Sequence, residues 1–511
     1  METLRDYVNW GITHCDKTAS AEGVPLVMEN CKLNKKMKQL EVYGNSVQNG
    51  TPSPEVPVEV ESVGEKCTKN LYDAEKYPLV FNQYIEGSTG SYYSNTVGFI
   101  CATQKHIPCE EMRGKTYTIN HSTGYNAGLA FYDDAKAYVS GVNYKGSTLA
   151  KPFTFTVPDN ASFFRFSAHA DHINEIQIEE GSVATEYEPY GKYKIPVTVR
   201  GKNVADIDKG ISTSLIANGD GTYTITKNGS YRISNLINID IPIGTKFGIS
   251  ADIIDSSTSM RITAYDGVSG AAHYYRVNTN TVYTAEYPIG NCRIYIESSD
   301  PDGSYVTFKN FMVNIIPEND GYEPYVEPVT TNVYLNEPLR KIGDYADVLD
   351  FKGKKVVRRI YENDYSDINT SSLYNFATFN PTSELVCFRI AYRGEKLKYA
   401  MASVNVKGNA YCNMYPVVSS GQRAEDTLSG GAINSATFDF IDSNYTTKEA
   451  WIAHINELTA NGTPLKVIHT LKTPYEEAIT CELPTLNAKT TVIDIDTSIL
   501  PSNIKGKYIK R

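Results

Sequence analysis

The segment Gln177-Ile-Glu-Glu-Gly-Ser-Val-Ala-Thr-Glu-Tyr-Glu-Pro-Tyr190 is echoed later in the chain by Asn314-Ile-Ile-Pro-Glu-Asn-Asp-Gly-Tyr-Glu-Pro-Tyr325. The two Tyr-Glu-Pro-Tyr runs begin 135 residues apart. Upstream, Lys69-Asn-Leu-Tyr72 is answered by Lys202-Asn-Val-Ala205, 133 residues later. Two separated markers share nearly the same spacing, so the repeated unit is a whole domain that can bury its own core.

Between these markers the sequence consists of short alternating runs separated by Gly, Asn and Asp. Residues 115–120, 128–132, 153–157 and 163–166 are examples from the first copy. Closely spaced short runs of this kind are typical of β-sandwiches. We therefore predict an all-β protein of tandem β-sandwich (jelly-roll) modules with short linkers, in which a proline ends the closing strand of each repeated module.

One isolated helix is predicted in the C-terminal module, at 447–461. Thr446 can cap it, and Glu449 lies three residues further on. Trp451 and Ile455 belong to an apolar stripe with helical spacing. The predicted order is an attachment arm with a β connector (1–66), β-sandwich module 1 (67–200), module 2 as a repeat of it (201–336), a linker hairpin (337–361), β-sandwich module 3 with the helix (362–481) and a C-terminal strand pair (482–511).

Charge and composition exclude several classes of protein. The net charge is −10 at pH 7, so we expect no nucleic-acid partner, because an extended phosphate-binding surface needs an excess of Lys and Arg. No apolar run approaches the roughly 18 residues of a membrane-spanning helix, so we expect no membrane insertion. The start lacks a signal-peptide core, which predicts synthesis in a reducing cytoplasm. The 9 Cys residues are then buried free thiols, although Cys101 and Cys109 could bridge.

No catalytic motif is present, and we expect a protein that is not an enzyme, with no catalytic residue. The chain has no His-Glu-x-x-His, no Gly-x-Ser-x-Gly and no phosphate-binding Gly-rich loop with its lysine. Glycoside hydrolysis needs two carboxylates across a cleft. Candidates such as Asp133, Asp134, Glu179 and Glu180 do not stand out among 59 acidic residues.

Two kinds of segment resemble metal sites, yet we expect no metal site and no cofactor. His169-Ala-Asp-His172 holds two imidazoles and a carboxylate within four residues, but a polar loop between strands is the favoured interpretation. Asn218-Gly-Asp-Gly221 and Asp300-Pro-Asp-Gly303 offer oxygen ligands for a structural Ca²⁺ ion. Neither matches the twelve-residue calcium loop, so plain hairpin turns are favoured.

Tyrosine is unusually common, with 38 Tyr against 2 Trp. Tyr is typical of binding surfaces, because it offers a rigid ring and a hydroxyl at low entropic cost, but β-rich cores favour it equally. The candidate ligand-binding residues are two adjacent pairs at predicted loop tips or strand ends, Tyr92 with Tyr93 and Tyr274 with Tyr275. Such rings stack on sugar faces or pack against another subunit; filling of the core is the alternative.

Several phrases resemble a known family. The run at 43–60, Tyr-Gly-Asn-Ser-Val-Gln-Asn-Gly-Thr-Pro-Ser-Pro-Glu-Val-Pro-Val-Glu-Val, is similar to a recurrent segment of tail and minor structural proteins of phages that infect Gram-positive bacteria. Residues 176–190 resemble the closing strand of their carbohydrate-binding-type jelly rolls. The phrases at 338–347 and 499–504 resemble their linker and C-terminal segments. The second closing segment departs from the pattern, with Ile-Pro-Glu-Asn-Asp at 316–320.

The resemblance implies a virion structural protein, made in the host bacterial cytoplasm and then located in the virion. The leading hypothesis is a tail tip, baseplate or fibre component that contacts the host surface through glycan-binding-type modules. Its partners would be other virion proteins, host cell-surface glycans and further copies of itself, a trimer being one such homo-oligomer. The alternative is a capsid or tail decoration protein whose modules bind other subunits and no glycan. A glycan-degrading enzyme is the third hypothesis.

Overall fold

The computed structural model describes residues 17–22, 26–29, 37–94, 98, 100–122, 127–144, 150–229, 234–277, 281–297, 299–316, 321–369, 371–380, 385–432, 435–483, 490–495, 500 and 503–508. Residues 1–16 of the predicted attachment arm lie outside these ranges. The predicted fold class is confirmed, because almost every described element is a β-strand. By contacts the chain divides into two compact units, Gly64–Lys194 with Tyr334–Pro338, and the remainder of the chain. The predicted module boundaries stay predictions.

The first strands belong to the larger unit. They are β1 (Lys17–Glu22), β2 (Leu26–Glu29), β3 (Met37–Tyr43), β4 (Ser46–Gln48) and β5 (Val60–Ser62). The run between β4 and β5 contains the prolines of the predicted connector, and the two strands pair with each other. Leu40 and Val42 on β3 are fully buried, which is the period-two burial expected of a strand with one covered face.

The smaller unit contains the first copy of the repeat, 69–190. Its strands are β6 (Glu65–Lys66), β7 (Leu79–Phe81), β8 (Gln83–Glu86), β9 (Ser91–Ser94), β10 (Ile100–Thr103), β11 (Ile107–Pro108), β12 (Thr116–Ser122), β13 (Gly128–Tyr132), β14 (Tyr138–Asn143), β15 (Lys151–Thr156), β16 (Phe163–His169) and β17 (Ile178–Glu180). Short 3₁₀ helices lie at Glu110–Met112 and Ala170–His172.

These strands form a β-sandwich. One sheet has the order β14-β13-β16-β10-β7, with β11 also paired to β16, and the other has the order β15-β12-β17. Their facing side chains form one buried cluster, in which Tyr117 and Ile119 come from β12 and Phe164 and Phe166 from β16. Burying each such side chain stabilises the fold by about 2 kcal/mol. The β8–β9 hairpin covers a second, smaller cluster around Tyr132.

The second copy, 202–325, folds within the larger unit. The strands from here to the linker are β18 (Tyr193–Gly201), β19 (Leu215–Ala217), β20 (Tyr223–Thr226), β21 (Ile237–Ile241), β22 (Lys246–Ser256), β23 (Met260–Asp266), β24 (Ala272–Arg276), β25 (Tyr283–Thr284), β26 (Ile289–Ile296), β27 (Tyr305–Asn314) and β28 (Val329–Leu335), with a 3₁₀ helix at Ile207–Gly210. One sheet has the order β19-β20-β27-β22-β25, and the other β21-β26-β23-β24. Alternate residues of β21 are buried and exposed, as its sequence Ile-Asn-Ile-Asp-Ile requires.

The last strands are β29 (Lys341–Ile342), β30 (Tyr345–Ala346), β31 (Val348–Asp350), β32 (Lys355–Asn363), β33 (Tyr374–Phe379), β34 (Cys387–Tyr392), β35 (Ala410–Cys412), β36 (Thr427–Ala432), β37 (Ser435–Ile441), β38 (Val467–Ala478), β39 (Thr490–Ile495) and β40 (Asn503–Tyr508). A 3₁₀ helix lies at Gly394–Tyr399. The region predicted as a linker hairpin contains β31 and β32, which pair antiparallel. The strands at the C-terminal end pair elsewhere, β39 with β2 and β18, and β40 with β1 and β3.

The helix α1 (Lys448–Ala460) is present where it was predicted. Its N-cap is Thr447, whose side chain accepts a hydrogen bond from the Ala450 amide at 3.3 Å, so the prediction of Thr446 as the cap was wrong by one residue. Thr447 has the extended backbone that a cap requires. Trp451 and Ile455 are fully buried against the sheet β33-β34-β37-β36.

The buried Asp347 holds the β31–β32 hairpin in place. Its carboxylate accepts hydrogen bonds from the amides of Arg340, Arg359 and Ile360 at 2.7–3.1 Å. It also pairs with the buried Arg358 guanidinium at 3.3 Å. This aspartate ends the Pro-Leu-Arg-Lys-Ile-Gly-Asp-Tyr-Ala-Asp phrase, which therefore has a clear structural role.

Among the described cysteines, seven are free and buried, Cys101 and Cys109 included. Burial raises the pKa of the Cys101 thiol to about 12, so it stays protonated and unreactive at neutral pH. The expectation of buried free thiols is confirmed for these residues.

Candidate functional site

The repeated markers meet in space within each copy, and Asn70 shows how in the first. Its side-chain carbonyl accepts hydrogen bonds from the amides of Tyr72 and Ile178, at 2.9 and 3.2 Å. Its amide group donates to the Ile176 carbonyl at 3.0 Å. The buried Asn70 therefore ties the start of the copy to its closing strand.

Asn203 makes equivalent contacts in the second copy. Its carbonyl accepts from the amides of Ala205 and Val313, at 3.1 and 3.2 Å. Its amide group donates to the carbonyls of Phe311 and Glu323, at 3.4 and 3.1 Å. The Lys-Asn marker is repeated because one asparagine satisfies several buried backbone groups that would otherwise lack partners.

The glutamate of Tyr-Glu-Pro-Tyr is buried and paired with lysine in both copies. Glu188 lies 3.5 Å from Lys69 and 2.7 Å from Lys194. Glu323 lies 3.3 Å from the buried Lys202. We name these residues the closing cluster: Lys69, Asn70 and Glu188 in the first copy, and Lys202, Asn203 and Glu323 in the second.

The charge state of Glu188 follows from two opposing effects. Burial disfavours its ionised form. Hydrogen bonds and attraction from Lys194, and then from Lys69, outweigh burial and hold the pKa of the carboxyl below its ordinary value. Glu188 is therefore ionised at neutral pH, and the closing cluster is a structural ion pair.

A surface cleft of about 300 Å³ opens beside the closing cluster of the first copy. Two segments form it, the turn that follows Asn70 and the closing segment itself. Its lining residues are Asn70, Tyr72, Asp73, Ala74, Glu75, Ile173, Asn174, Ile176, Tyr187, Pro189, Tyr190, Gly191 and Lys192. The sequence pattern of Tyr-Glu-Pro-Tyr indicates only the end of a strand, and nothing in it predicts that its rings line a cleft.

The floor of the cleft is rigid. The buried Tyr72 donates its hydroxyl hydrogen bond to the Tyr77 carbonyl at 2.7 Å. Its ring packs edge-on against Phe166, with ring centroids 5.2 Å apart. The Asp73 carboxylate accepts from the amides of Glu75 and Lys76, at 3.0 and 2.9 Å, which fixes the adjoining turn.

The rim combines aromatic and polar groups. The Tyr190 side chain is 47% exposed, and Tyr187 is half-buried beside it. Exposed Glu75 and Asn174 add a carboxylate and an amide, and Lys192 adds an ammonium group 3.9 Å from Glu75. An exposed ring with surrounding hydrogen-bonding groups suits a small polar ligand with one apolar face, such as a sugar ring.

A second cleft, in the larger unit, has a different chemistry. It measures about 440 Å³ and is lined by Gln48, Gly50, Thr51, Pro52, Ile342, Gly343, Gly408, Ala410, Tyr411, Pro416 and Val417. None of these lining residues is charged. The Gln48 amide is already engaged with the carbonyls of Val58 and Cys412, at 2.9 and 2.8 Å. This cleft offers fewer side-chain groups to a polar ligand.

The predicted site residues Tyr92 and Tyr93 lie on β9 and face different surroundings. Tyr92 is half-buried against the small cluster around Tyr132, and the Arg165 guanidinium lies 4.5 Å above its ring. Tyr93 is 44% exposed, with its ring 5.5 Å from that of Tyr84. Tyr92 thus fills a core, whereas Tyr93 remains accessible. Neither lines the cleft.

Tyr274 and Tyr275 lie on β24 in the other unit. Tyr274 is 65% exposed, and its ring packs edge-on against Tyr295 at 5.9 Å. Tyr275 shares a 2.7 Å hydrogen bond with the Tyr287 hydroxyl and packs against Phe247. In each predicted pair one ring is exposed and open to a ligand, Tyr93 in the first pair and Tyr274 in the second.

The remaining acidic candidates take part in local contacts. Glu179 accepts hydrogen bonds from the amide and hydroxyl of Thr185, and Glu180 pairs with Lys115 at 3.2 Å. Asp133 accepts from the Ala137 amide at 2.8 Å, and Asp134 accepts from the Ser162 hydroxyl.

In the two turns considered for Ca²⁺, the acidic side chains also make local hydrogen bonds and ion pairs. The Asp220 carboxylate accepts from the Thr222 amide at 3.0 Å and from its hydroxyl at 2.6 Å, contacts that lower its pKa. In the other turn, Asp300 accepts from the Thr258 hydroxyl at 2.7 Å, and Asp302 lies 3.6 Å from Lys227. These contacts are those of capped hairpin turns.

Among the described residues, no helix is both long and apolar enough to span a membrane. No protein-family model matches the chain, and no curated protein matches it. One solved structure with which it aligns is the N-terminal CBM22-1–CBM22-2 tandem domain of Xyn10C from Paenibacillus barcinonensis. The alignment has 9% sequence identity and a TM-score of 0.16, and covers 52% of this chain and 99% of that one. A TM-score this low supports no conclusion about the fold or function of this chain.

Proposed function

We propose that the chain is a structural protein of a phage virion that contacts glycans on the surface of its host, and that the cleft beside Tyr190 is a glycan-binding site. The observation that carries the glycan proposal is the cleft, in which an exposed tyrosine stands beside a carboxylate, an amide and an ammonium group. The virion role rests on the family resemblance of the phrases at 43–60, 176–190 and 338–347.

The residues that line the cleft would have different roles in binding a sugar. The exposed Tyr190 ring would stack on the apolar face of a pyranose, and Tyr187 would extend that platform. Glu75 and Asn174 would accept and donate hydrogen bonds to hydroxyl groups at the ring edge. The rigid floor at Tyr72 limits the entropy lost on binding.

A single shallow cleft of about 300 Å³ binds one or two sugar rings, which implies low affinity per site. A virion appendage compensates by displaying several copies, since linked sites gain avidity without new contacts. The proposal therefore includes a homo-oligomer, a trimer being one form, held by other virion proteins.

The test is binding of the full chain to a panel of cell-wall polysaccharides and teichoic acids from Gram-positive bacteria. We expect Tyr190→Ala to weaken binding roughly tenfold, about 1.4 kcal/mol, because the stacking platform is lost. The matched control is Tyr322→Ala, which removes the 44% exposed tyrosine of the second Tyr-Glu-Pro-Tyr run. This control should bind as the unaltered chain does.

Two outcomes would overturn the glycan proposal: no glycan bound by the unaltered chain, or equal binding by Tyr190→Ala. The first result, together with incorporation of the chain into assembled virions, would favour the decoration protein. The second result would show that the glycan is bound outside this cleft. Cleavage of a bound polysaccharide by the intact chain would favour the glycan-degrading enzyme.

A further inference from the structure

Three side chains with metal-binding atoms meet at one end of the first-copy sandwich. They are His121, His172 and Glu175, and one ligand atom from each lies within 4.8 Å of the others. The two imidazole rings are stacked, with centroids 4.0 Å apart and planes 8° apart. Nδ1 of His172 lies 3.5 Å from Oε2 of Glu175. None of these residues lines the cleft described above.

The backbone that carries these side chains is fixed by its own hydrogen bonds. Asn120, the neighbour of His121 on β12, donates from its side chain to the Glu175 carbonyl at 2.7 Å. Its side-chain carbonyl accepts from the Gln177 amide at 2.8 Å. The Glu175 amide donates to the His172 carbonyl at 2.9 Å. One buried asparagine therefore holds the strand with His121 against the turn with Glu175.

The sequence motif His169-Ala-Asp-His172 divides between two roles. The His169 ring accepts a hydrogen bond from the Asp171 amide at 3.3 Å, and so caps the 3₁₀ helix Ala170–His172. This places His172 at the end of the turn, against His121. The ligand set is therefore not the one that the motif suggests, since it replaces His169 by a histidine from a different strand.

We propose that His121, His172 and Glu175 form a site for a divalent transition-metal ion, with Zn²⁺ as the best-fitting ion. Two imidazoles and one carboxylate are a ligand set typical of zinc sites that keep a fourth position for water. Imidazole nitrogens select such ions over Ca²⁺ and Mg²⁺, which prefer oxygen. The three side chains are partly or fully exposed, so the ion has a path from solvent.

Binding needs movement of side chains alone. Ligand atoms around tetrahedral Zn²⁺ lie about 3.5 Å apart, given metal–ligand distances of about 2.1 Å. The present spread of up to 4.8 Å closes when the stacked imidazoles turn to direct their nitrogens at one point. The exposed Glu175 carboxylate can follow, because its side-chain contact is with His172, which is itself a proposed ligand.

The site has a structural consequence for its surroundings. Ile173 and Asn174 lie between two of the ligands and line the neighbouring cleft. A bound ion would therefore hold one wall of that cleft in place. The metal site itself does not depend on the proposed glycan function, and it is tested without any glycan.

The experiment is calorimetric titration of the chelator-treated full chain with ZnCl₂. We expect one bound ion per chain, and at least a roughly tenfold loss of affinity in His121→Ala and in His172→Ala. His273→Ala is the matched control, because His273 also stacks on an aromatic ring, Tyr287, at 3.8 Å but lies in the second copy. It should bind Zn²⁺ as tightly as the unaltered chain.

A second readout uses Co²⁺ as a probe in place of Zn²⁺. Its visible absorption bands report tetrahedral coordination by nitrogen and oxygen, and a sulfur charge-transfer band would reveal binding by cysteine instead. Circular dichroism confirms that each variant is folded. The proposal is overturned if the unaltered chain binds no Zn²⁺, if both histidine variants bind it unchanged, or if the Co²⁺ spectrum shows thiolate ligation.

Discussion

The two copies of the repeat share a closing cluster and differ in what surrounds it. In each, an asparagine joins the first segment to the closing strand, and a lysine pairs with the buried glutamate of Tyr-Glu-Pro-Tyr. The tyrosines of that motif are used in opposite ways. In the first copy the exposed ring is the second tyrosine, Tyr190, whereas in the second copy it is the first, Tyr322.

This difference distinguishes the residues that stabilise both copies from those to which we assign ligand binding. The repeated residues are those that satisfy buried backbone groups and buried charges, and any copy of this sandwich needs them. The second copy has Tyr325 at the position of Tyr190, but there the ring is only half-buried, whereas Tyr190 is exposed at a cleft. The trio His121, His172 and Glu175 belongs to the first copy alone among the described residues. The first copy is therefore where we place ligand binding.

The largest expected effect comes from removing the repeated asparagine. Asn70→Ala and Asn203→Ala should each cost about 4 kcal/mol, because each leaves several buried backbone groups without a partner. Hydrogen exchange read by mass spectrometry follows each copy separately, and protection should fall in the altered copy. Asn174→Ala, at an exposed asparagine, is the control and should change little. A small loss of protection from one substitution and a large loss from the other would show that the two asparagines are not equivalent.

Replacing the lysine of each closing cluster should cost different amounts of stability, since Lys202 is fully buried and Lys69 is 47% exposed. Lys202→Met removes the cation beside the buried Glu323, whose carboxylate then keeps the hydrogen bonds from the amide and hydroxyl of Thr490, at 2.8 and 2.6 Å. An uncompensated buried charge should destabilise the second copy by about 3 kcal/mol. Lys69→Met should cost under about 1 kcal/mol, because Glu188 keeps Lys194 at 2.7 Å. Denaturant unfolding of both variants measures this, and equal losses would show that the two clusters are the same after all.

At acidic pH we expect a smaller difference in stability between the two copies. Burial, together with repulsion from Arg165 and Lys136, lowers the pKa of His106 in the first copy to about 4, and its ring packs edge-on against Tyr132. A histidine with a lowered folded-state pKa stabilises the fold above its unfolded pKa of about 6.5 and loses that contribution as the pH falls towards 4. Because His106 is only partly buried, we expect about 1 kcal/mol.

The measurement is unfolding of the first copy across this pH range, followed by hydrogen exchange. His106→Gln should flatten the pH dependence of the first copy, and His273→Gln, in the second copy, should leave it unchanged. A pH dependence that persists in full in His106→Gln would assign the acid sensitivity to another group.

Much of the fold was predictable because it depends on local patterns. The short runs at 128–132 and 163–166 predict strands, and the structure has them as β13 and β16. The helix was predicted from a cap and an apolar stripe, although the cap is Thr447 and not Thr446. Both residues are threonines, and only the backbone conformation decides which of them caps the helix.

The candidate sites were less predictable. Tyr92 and Tyr190 are both tyrosines near strand ends, yet Tyr92 packs into a core beneath Arg165 while Tyr190 is exposed at a cleft. The metal-like motif in the sequence paired His172 with His169, whereas the structure pairs His172 with His121. In each case the deciding neighbour lies on another strand.

The sequence by itself determined that this chain is all-β, that a domain-sized unit occurs twice and that one helix lies near the C-terminal end. The strands and the helix follow from side-chain periodicity and turn residues, which act over a few neighbouring residues. The duplication follows from direct comparison of the two segments of sequence. Only the tertiary structure decided that the glutamate of Tyr-Glu-Pro-Tyr is buried against lysine, that its rings line a cleft and that His121 meets His172. The physical reason is that strand order and register, which depend on packing of the whole module, select the side chains that meet.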